Sequence, residues 1–339
     1  MDGHKTRHLE RHQGNNERNK RSGNRPKKKK TKRPKPIKNQ LKGFTLYYLN
    51  IRDIATKKSS LQEILNKEKP SVIAIAETWL EEDEVFELEG YEIFRNDRNK
   101  DGGGVLIAVK NVLANITVEV SKTKEIYESL WVVINNGRVK IKLGAVYLPQ
   151  EKPLNDKELN DVYKLIKTEI QQGKEKDQCV IVAGDFNCRV GEAKVKGTYE
   201  SESKGGKKLL DMIDKEKMIL ANASDKCNGL WTREENGKRS VIDFILMEEE
   251  DEDYIESLEI DESKSKAPFR LKSVEGGNIQ TVYSDHNPMI LKTNLILKEK
   301  EKRKNLTRTM GTMGNNFSMD NEPLKSFALL IVIVIVYSH

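Results

Sequence analysis

A carboxylate and an amide stand two residues apart after an apolar stretch near the middle of the chain. Residues 179–183 read CVIVA, which is typical of a strand buried on both faces, and Asp185 and Asn187 follow after Gly184. In extended geometry both side chains project to one side, where the carboxylate can take a proton from water while the amide donates to an oxygen. The pair therefore predicts a site that activates water. The alternative is an Asx turn that caps the strand.

Glu77 stands in the same kind of position after a second apolar stretch. Residues 71–76 read SVIAIA, and a carboxylate directly after a doubly buried strand is costly unless it is paired or bound to a metal. Mg²⁺ in proteins takes one or two carboxylates together with waters and phosphate oxygens. Glu77 is therefore a predicted metal ligand, and a satisfied buried salt bridge or a capping contact is the alternative.

The segment SDHNP at residues 284–288 joins a carboxylate to an imidazole just before a strand that starts with proline. His286 is the one histidine of the central region, since the others are His4, His8, His12 and His339. An imidazole titrates near neutral pH and can therefore transfer protons. We expect Asp285 to supply a metal or phosphate contact and His286 to supply the titratable group.

Asp243 interrupts an apolar strand pattern, SVIDFIL at residues 240–246. A carboxylate in such a place must be compensated. His286 is the predicted partner, because a carboxylate bonded to an imidazole fixes its tautomer and stabilises its charged form. Pairing with a lysine or an arginine is the alternative.

Asn50 and Tyr147 close two further predicted strands, at residues 44–50 and 139–147. The amide of Asn50 can lie near a metal or a phosphate, and the hydroxyl of Tyr147 can donate to a phosphate oxygen. For Tyr147 taken alone, core packing is the simpler interpretation.

Strands outnumber helices in the central region. Further strands are predicted at residues 105–109, 115–120, 129–135, 240–247 and 288–295, and helices at 57–69, 156–171 and 205–219. This pattern favours an α/β fold in which a two-layered β structure is flanked by helices, rather than a regular alternation of strands and helices.

The net charge of +7 is unevenly distributed along the chain. Residues 1–40 hold 15 Lys and Arg against 3 acidic residues, whereas the rest of the chain holds 45 basic and 50 acidic residues. Residues 1–42 are therefore predicted to be a disordered basic arm. Its Lys27, Lys28, Lys29 and Lys30 would bind nucleic-acid backbones, or the whole basic tract at residues 27–33 would form a nuclear import signal. A merely solubilising arm is the alternative.

The composition argues against several other classes of protein. The three cysteines are odd in number and show no CxxC spacing, which disfavours a disulfide framework or a zinc site. The first forty residues contain no apolar run of the kind found in secretory signals. Residues 298–339 are predicted to be a tail of low order, and their apolar run at 327–337 is short of the roughly 20 residues of a membrane helix.

Seven short motifs occur along the chain in one order. They are LNIR (49–52), AETWL (76–80), VYLP (146–149), GDFN (184–187), Thr232, SVIDFIL (240–246) and SDHNP (284–288). Each is weakly specific, but together they resemble the endonuclease/exonuclease/phosphatase superfamily. Within it they look like the apurinic-like endonuclease domain of non-LTR (LINE-type) retrotransposons. We expect this domain over residues 43–297.

The resemblance implies a four-layered α/β sandwich of the DNase I-like kind, with two packed β-sheets flanked by helices. It also implies a role for each matching residue. Glu77 and Asn50 would lie at a divalent metal, and Asp285 would support the metal site or the leaving group. Asp185 and Asn187 would handle the attacking water and the phosphate, and Tyr147 would contact the phosphate. Asp243 would orient His286, and Thr232 would lie near the DNA backbone. The implied cofactor is Mg²⁺, with Mn²⁺ as a substitute.

The expected function is Mg²⁺-dependent nicking of DNA by a monomer in the nucleus, leaving 5′-phosphate and 3′-hydroxyl ends. A retroelement would use such a 3′-hydroxyl to prime reverse transcription. The alternatives are an abasic-site repair endonuclease or exonuclease, a catalytically inactive nucleic-acid-binding protein, and a lipid phosphodiesterase of the same fold.

Overall fold

The computed structural model describes the central part of the chain. The described ranges are 43–98, 102–113, 116–117, 127–135, 139–149, 154–197, 201–274 and 276–296. The predicted basic arm with Lys27 to Lys30, the predicted tail and most of the strand predicted at 115–120 lie outside these ranges.

Strands make up most of the regular structure. In chain order they are β1 (Gly43–Asn50), β2 (Val72–Ala76), β3 (Tyr91–Asn96), β4 (Val105–Lys110), β5 (Ile116–Thr117), β6 (Glu128–Asn135), β7 (Lys140–Tyr147), β8 (Cys179–Asp185), β9 (Met218–Leu220), β10 (Cys227–Asn228), β11 (Arg233–Glu235), β12 (Lys238–Ser240), β13 (Asp243–Glu248), β14 (Ile255–Ile260), β15 (Phe269–Ser273), β16 (Ile279–Tyr283) and β17 (Met289–Ile296). The α-helices are α1 (Lys58–Glu68), α2 (Asp156–Glu175) and α3 (Lys204–Glu216), and 3₁₀ turns occupy Ala55–Lys57, Ala221–Ala223 and Glu249–Tyr254.

The strands form two mixed sheets. The first has the order β10-β14-β17-β1-β2-β4-β3, and the second has the order β5-β6-β7-β8-β13-β9. In the first sheet β1 runs parallel to β2 and antiparallel to β17, and in the second β8 runs parallel to β7 and antiparallel to β13. The pairs β11-β12 and β15-β16 form separate two-stranded ribbons.

The two sheets pack face to face with helices on their outer sides. Val72 and Ile181 belong to the apolar core between the sheets. The next residues in their strands point the other way, so that Ile73 packs with α1 and Val182 packs with α2 and α3. Burial of each such side chain contributes roughly 1.5–3 kcal/mol. The predicted four-layered α/β sandwich is confirmed.

The helices differ from the prediction mainly at their ends. Asn155 caps α2 in a capping box with Glu158, which fixes its start. The helix continues past the predicted end at 171, and Gly173 lets its last turns pack closely against β8, where an added Cβ would lie 2.6 Å from Val180 Cγ2. Lys217, in left-handed conformation, ends α3 earlier than predicted. Among the described helices, none is long and apolar enough to cross a membrane.

The longer predicted strands are present, with one shift that matters for the site. The strand predicted at 240–247 is divided, because Ser240 ends β12 and Asp243 is the first residue of β13. Asp243 therefore lies at a strand end rather than in the middle of a strand. The remaining strands were not predicted from the sequence, and they are β3, β9, β10, β11, β14, β15 and β16.

Candidate active site

Strands of both sheets end at the same place, and the chemically important side chains lie there. Asp185 ends β8, and its Cα partners on the neighbouring strands are Tyr147 and Asp243. These three residues stand side by side in the second sheet. In the first sheet Asn50 ends β1, and Glu77 follows β2. The two sheets thus contribute two halves of one site.

Asn50 connects the two halves. Its Nδ2 donates hydrogen bonds to Oε1 of Glu77 and to Oδ2 of Asp185, each at 2.9 Å. Trp79 Nε1 donates to the other oxygen of Glu77 at 3.3 Å. The Oδ1 atom of Asn50 is buried and has no hydrogen-bond partner among the described residues. One amide therefore holds two carboxylates together, and its oxygen is left unsatisfied.

Asp185 and Asn187 lie together, but through a turn rather than the extended backbone that was predicted. Asn187 has a φ of 45°, and its backbone N–H donates to Oδ1 of Asp185 at 2.9 Å. Its Nδ2 donates to the carbonyl of Leu148 at 2.7 Å and lies 3.3 Å from Oδ2 of Asp185. The Asx turn considered as the alternative is thus present together with the predicted pair.

Gly184 allows this turn to approach the neighbouring strand. An added Cβ on Gly184 would lie 2.4 Å from the carbonyl oxygen of Val146 on β7. No larger residue fits there without displacing the backbone, which explains the glycine directly before Asp185.

The predicted contact between His286 and Asp243 is present. His286 Nδ1 lies 2.8 Å from Oδ2 of Asp243, and the hydroxyl of Tyr48 donates to Oδ1 at 3.1 Å. These partners take the place of the lysine or arginine considered as the alternative. Because Nδ1 is engaged, Nε2 is the imidazole nitrogen that faces Asp185, at 3.9 Å from Oδ2.

The structure corrects the role predicted for Thr232. Its side chain is fully buried, and its hydroxyl accepts hydrogen bonds from the backbone N–H groups of Ile242 and Asp243, each at 3.1 Å. A side chain without solvent exposure does not contact a DNA backbone. Thr232 instead fixes the start of β13 and thereby the position of Asp243.

Arg52 and Arg233 line the site, although no role was predicted for either of them. Their contacts also change the role expected of Asp285. Arg52 Nη1 donates to Oδ1 of Asp285 at 2.9 Å, and Arg233 Nε donates to Oδ2 at 2.7 Å. Both oxygens of Asp285 thus face guanidinium groups, whereas the predicted metal ligand should face Asn50 and Glu77. The only signal in the sequence was the position of each arginine in a motif, two residues after Asn50 and one after Thr232.

A lysine that was also missed holds the loop around His286. Lys264 Nζ donates to the backbone carbonyls of Ser284 and His286, at 2.7 and 2.6 Å. The hydroxyl of Ser284 donates to the carbonyl of Asn50 at 2.7 Å. This loop is therefore tied to both a lysine and the end of β1.

Several residues of the site have an unfavourable backbone conformation. The φ angles of Arg52, Glu77 and Asn187 are 49°, 53° and 45°. Such left-handed conformations of residues other than glycine cost on the order of 1–3 kcal/mol each and occur often at functional sites. Backbone hydrogen bonds across the strand ends hold them, among them Asp53 N–H to the carbonyl of Glu77 at 3.1 Å.

The buried charges shift the proton affinities of the site. Burial lowers the pKa of His286, but Asp243, Asp185 and Asp285 outweigh burial and raise it to about 9. Burial and the negative charge of Asp243 raise the pKa of Asp185. Burial, followed by the charges of Glu77 and Asp185, raises the pKa of Tyr147, which is hydrogen-bonded to Glu77. The imidazole is thus held in its charged form and Tyr147 in its neutral form.

An open pocket of about 330 Å³ gives access to these groups. It is lined by Arg52, Glu77, Trp79, Gly102, Tyr147, Asp185, Asn187, Arg233, Asp285 and His286. Six predicted site residues therefore reach one pocket, while Asn50 and Asp243 lie behind them.

Two groups of side chains have the chemistry to hold a divalent cation. Ligand atoms of Asp185, Asp243 and His286 lie within 4.8 Å of one another. In that group, however, Asp243 and His286 are already bonded to each other. Glu77, Asp185 and the unsatisfied Oδ1 of Asn50 form an oxygen-rich set that suits a hard cation better. Rotation of the Asn50 amide would turn that oxygen towards the two carboxylates, an arrangement that only a cation makes favourable.

Comparison with solved structures supports the fold. The endonuclease domain of TRAS1, a telomere-specific non-LTR retrotransposon, has a TM-score of 0.53 and 18% sequence identity, covering 74% of this chain and 99% of that one. The 3′ phosphatase NExo from Neisseria, bound to a product DNA hairpin, has a TM-score of 0.55 and 12% identity, covering 74% and 99%. An AP endonuclease from Archaeoglobus fulgidus has a TM-score of 0.54 and 13% identity, covering 74% and 100%.

The family is shown by the sequence itself. A search of curated proteins found no significant match. A profile of the Endonuclease/Exonuclease/phosphatase family matches residues 48–286, which include every residue of the pocket. This chain belongs to the endonuclease/exonuclease/phosphatase family.

Proposed function

We propose that this chain is a Mg²⁺-dependent DNA endonuclease of the retrotransposon type, which nicks one strand and leaves a 3′-hydroxyl. One observation carries the proposal: Asp185 lies between the amide of Asn50 and Nε2 of His286, and the buried Asp243 supports the imidazole from behind. This arrangement places a proton acceptor and a proton donor at one open pocket.

In the proposed reaction, water attacks the phosphorus atom of a phosphodiester in line with the leaving 3′-oxygen. Asp185 accepts the proton of the water as the new P–O bond forms, and the Asn187 amide, giving up its 3.3 Å contact with Asp185, orients the phosphate. His286, charged at neutral pH, donates its proton to the leaving oxygen as the P–O3′ bond breaks. The products are a 5′-phosphate and a 3′-hydroxyl.

Glu77, Asp185 and Asn50 would hold the divalent cation, for which Mg²⁺ is proposed and Mn²⁺ is a proposed substitute. When bound, the cation would neutralise charge on the phosphate and the leaving oxygen and lower the pKa of Asp185. The neutral hydroxyl of Tyr147 lies at the pocket and would exchange its hydrogen bond to Glu77 for one to a phosphate oxygen.

DNA is the proposed partner, and the protein is proposed to act as a monomer in the nucleus. The 15 basic residues of the first forty would bind the phosphate backbone without sequence preference. The basic tract at residues 27–33 is the proposed import signal. The solved relatives support the choice of DNA, since one is the endonuclease domain of a retrotransposon and another holds a product DNA hairpin.

A nicking assay with the full-length chain tests the proposal. Supercoiled plasmid with and without abasic sites is incubated with the protein in Mg²⁺, in Mn²⁺ or in EDTA. We expect relaxed circles from the plain plasmid with either metal and none with EDTA. DNA ligase alone should reseal the nicks, because it requires a 5′-phosphate next to a 3′-hydroxyl.

Two variants make the assay specific to the pocket. Asp185→Asn should abolish nicking, whereas Asp211→Asn, which removes the charge of a carboxylate exposed on α3, should not. Cleavage of the abasic plasmid alone would instead indicate a repair endonuclease. Binding of DNA by the wild type with no metal-dependent cleavage of either plasmid would refute the enzymatic proposal.

A further inference from the structure

Asp285 brings together two arginines that are far apart in sequence. Arg52 follows β1, and Arg233 begins β11. The guanidinium groups bind different oxygens of the same carboxylate, at 2.9 and 2.7 Å. The surrounding backbone also fixes Arg233, since Glu234 N–H donates to the carbonyl of Asp285 at 2.9 Å and Arg233 forms a β-bridge with His286.

The contacts within the protein use only part of the hydrogen-bonding capacity of these arginines. Each guanidinium carries five N–H donors in a fixed plane. Arg52 uses Nη1 for Asp285 and lies with Nε 3.6 Å from Glu77, and Arg233 uses Nε for Asp285 and Nη2 for Glu235. Among the described residues, Nη2 of Arg52 and Nη1 of Arg233 have no partner. Both side chains line the pocket, and that of Arg52 is 43% exposed.

The charges around the pocket indicate which kind of group these unused N–H donors would bind. Carboxyl groups of Glu77, Asp185 and Asp285 line the pocket, and negative charge on them repels a polyanion. Asp285 shares its single negative charge between two guanidinium groups, so both arginines bring positive charge and unused N–H donors to this wall. The planar guanidinium also matches the geometry of a phosphate group better than an ammonium does.

We propose that Arg52 and Arg233 form a binding site for a backbone phosphate of the nucleic acid, with Asp285 holding the two guanidinium groups at a fixed spacing. The inference rests on the proposed function for its substrate class. It assigns Asp285 to positioning rather than to metal binding. Arg52 and Arg233 would place the cleaved strand relative to Asp185 and His286.

Salt-dependent DNA binding tests this site without requiring cleavage. Fluorescence anisotropy of a labelled 30-base-pair duplex is measured in EDTA at several salt concentrations for the full-length wild type, Arg52→Gln, Arg233→Gln and Lys215→Gln. Each lost phosphate contact should reduce the slope of log Kobs against log salt by about 1. We expect that reduction for both arginine variants and the wild-type slope for Lys215→Gln, which removes an exposed cation on α3.

Lysine variants separate charge from geometry and guard against misfolding. Arg52→Lys and Arg233→Lys keep the charge and should keep the wild-type slope, while the loss of planar contacts raises the KM for nicking roughly tenfold. Thermal unfolding of every variant is recorded in parallel. Slopes that equal the wild-type value in folded Arg52→Gln and Arg233→Gln would overturn the assignment.

The same measurements distinguish this inference from the proposed function. Wild-type cleavage with unchanged slopes in the glutamine variants leaves the endonuclease proposal standing and removes the arginine site. Reduced slopes in the glutamine variants together with no cleavage by the wild type would support the arginine site and refute the endonuclease proposal. They would identify the pocket as a phosphate-binding site without the proposed activity.

Discussion

Nδ1 of His286 and Oδ2 of Asp243 lie 2.8 Å apart, although 43 positions separate the two residues in the sequence. His286 comes from the loop before β17 of the first sheet, and Asp243 begins β13 of the second. The contact therefore spans the two sheets. It turns Nε2, rather than Nδ1, towards Asp185 and the pocket.

Replacing Asp243 by Asn should both lower the pKa of His286 and reduce nicking. The carboxylate raises that pKa by charge and by hydrogen bonding, so the imidazole of Asp243→Asn should lose its proton at lower pH than the wild type. We expect nicking to fall by roughly 10²–10⁴-fold, because the proton donor is discharged and wrongly oriented. NMR titration of the imidazole, assigned by comparison with His286→Gln, gives the pKa directly. An unchanged pKa in Asp243→Asn would contradict the proposed coupling.

Divalent metal should stabilise the protein through Glu77. A ligand at one hundred times its Kd stabilises a protein by about 2.7 kcal/mol, which corresponds to a rise in Tm of about 5–10 °C for a domain of this size. We expect this rise with Mg²⁺ and its reversal with EDTA. Glu77→Gln should lose most of it, and Glu63→Gln, on the exposed side of α1, should retain it. Equal rises in both variants would place the cation elsewhere.

The metal-free protein should become less stable as the pH rises from about 6.5 to 8. The pKa of His286 is raised to about 9 in the folded state, so folding gains from its proton fully below the unfolded pKa of about 6.5 and loses that gain towards pH 9. The raised pKa of Asp185 acts in the same direction. The expected decrease in the free energy of unfolding is on the order of 2 kcal/mol.

Urea unfolding in EDTA at pH 6.5, 7.2 and 8 measures this dependence. The range stops at 8 because burial lowers the pKa values of Lys57 and Lys264 to about 8. Above that pH both lysines lose their protons in the folded state before they do so in the unfolded chain, and this difference stabilises the fold as the pH rises. His286→Gln should show a smaller decrease than the wild type. A stability that rises with pH over this range would show that the folded state does not hold the extra proton.

Thr232→Val should destabilise the fold and reduce nicking through Asp243. Valine has nearly the same shape as threonine, but it leaves the buried N–H groups of Ile242 and Asp243 without an acceptor. An unsatisfied buried donor costs about 1–3 kcal/mol, so urea unfolding should show a loss of at least about 1 kcal/mol. Thr232→Ser keeps the hydroxyl and should restore most of the stability. Weaker DNA binding with unchanged stability would instead support a direct contact of Thr232 with DNA.

The sequence predicted those strands well whose apolar residues are continuous, such as β2 and β8, because burial on both faces leaves no polar position in them. It missed β14, where Ile255, Leu258 and Ile260 do not alternate regularly. The structure explains why: the pairing of β14 with β17 shifts between Ile255 and Ser257, and such an irregularity changes the phase of the pattern. The edge strand β3 was missed because most of its side chains are only partly buried, which leaves no clear run of apolar residues in the sequence.

The residues of the site were likewise predictable only where their position in the sequence requires a partner. Asp185, Asp243 and His286 were predictable because a carboxylate or an imidazole beside an apolar strand needs a partner. Arg52 and Arg233 were not, because an arginine at a strand end is ordinary and their shared partner Asp285 exists only in the folded chain. The hydroxyl of Thr232 points inward, which its sequence neighbours do not reveal.

The position of β17 has a consequence for how the protein is made. This last described strand lies between β14 and β1 inside the first sheet, and His286 comes just before it. While residues 286–296 are still inside the ribosome, the chain lacks the imidazole of His286, and the edge of β1 that pairs with β17 has no partner strand. We therefore expect the proposed nuclease activity to appear only after residues 286–296 have left the ribosome, because both the site and the first sheet are completed last.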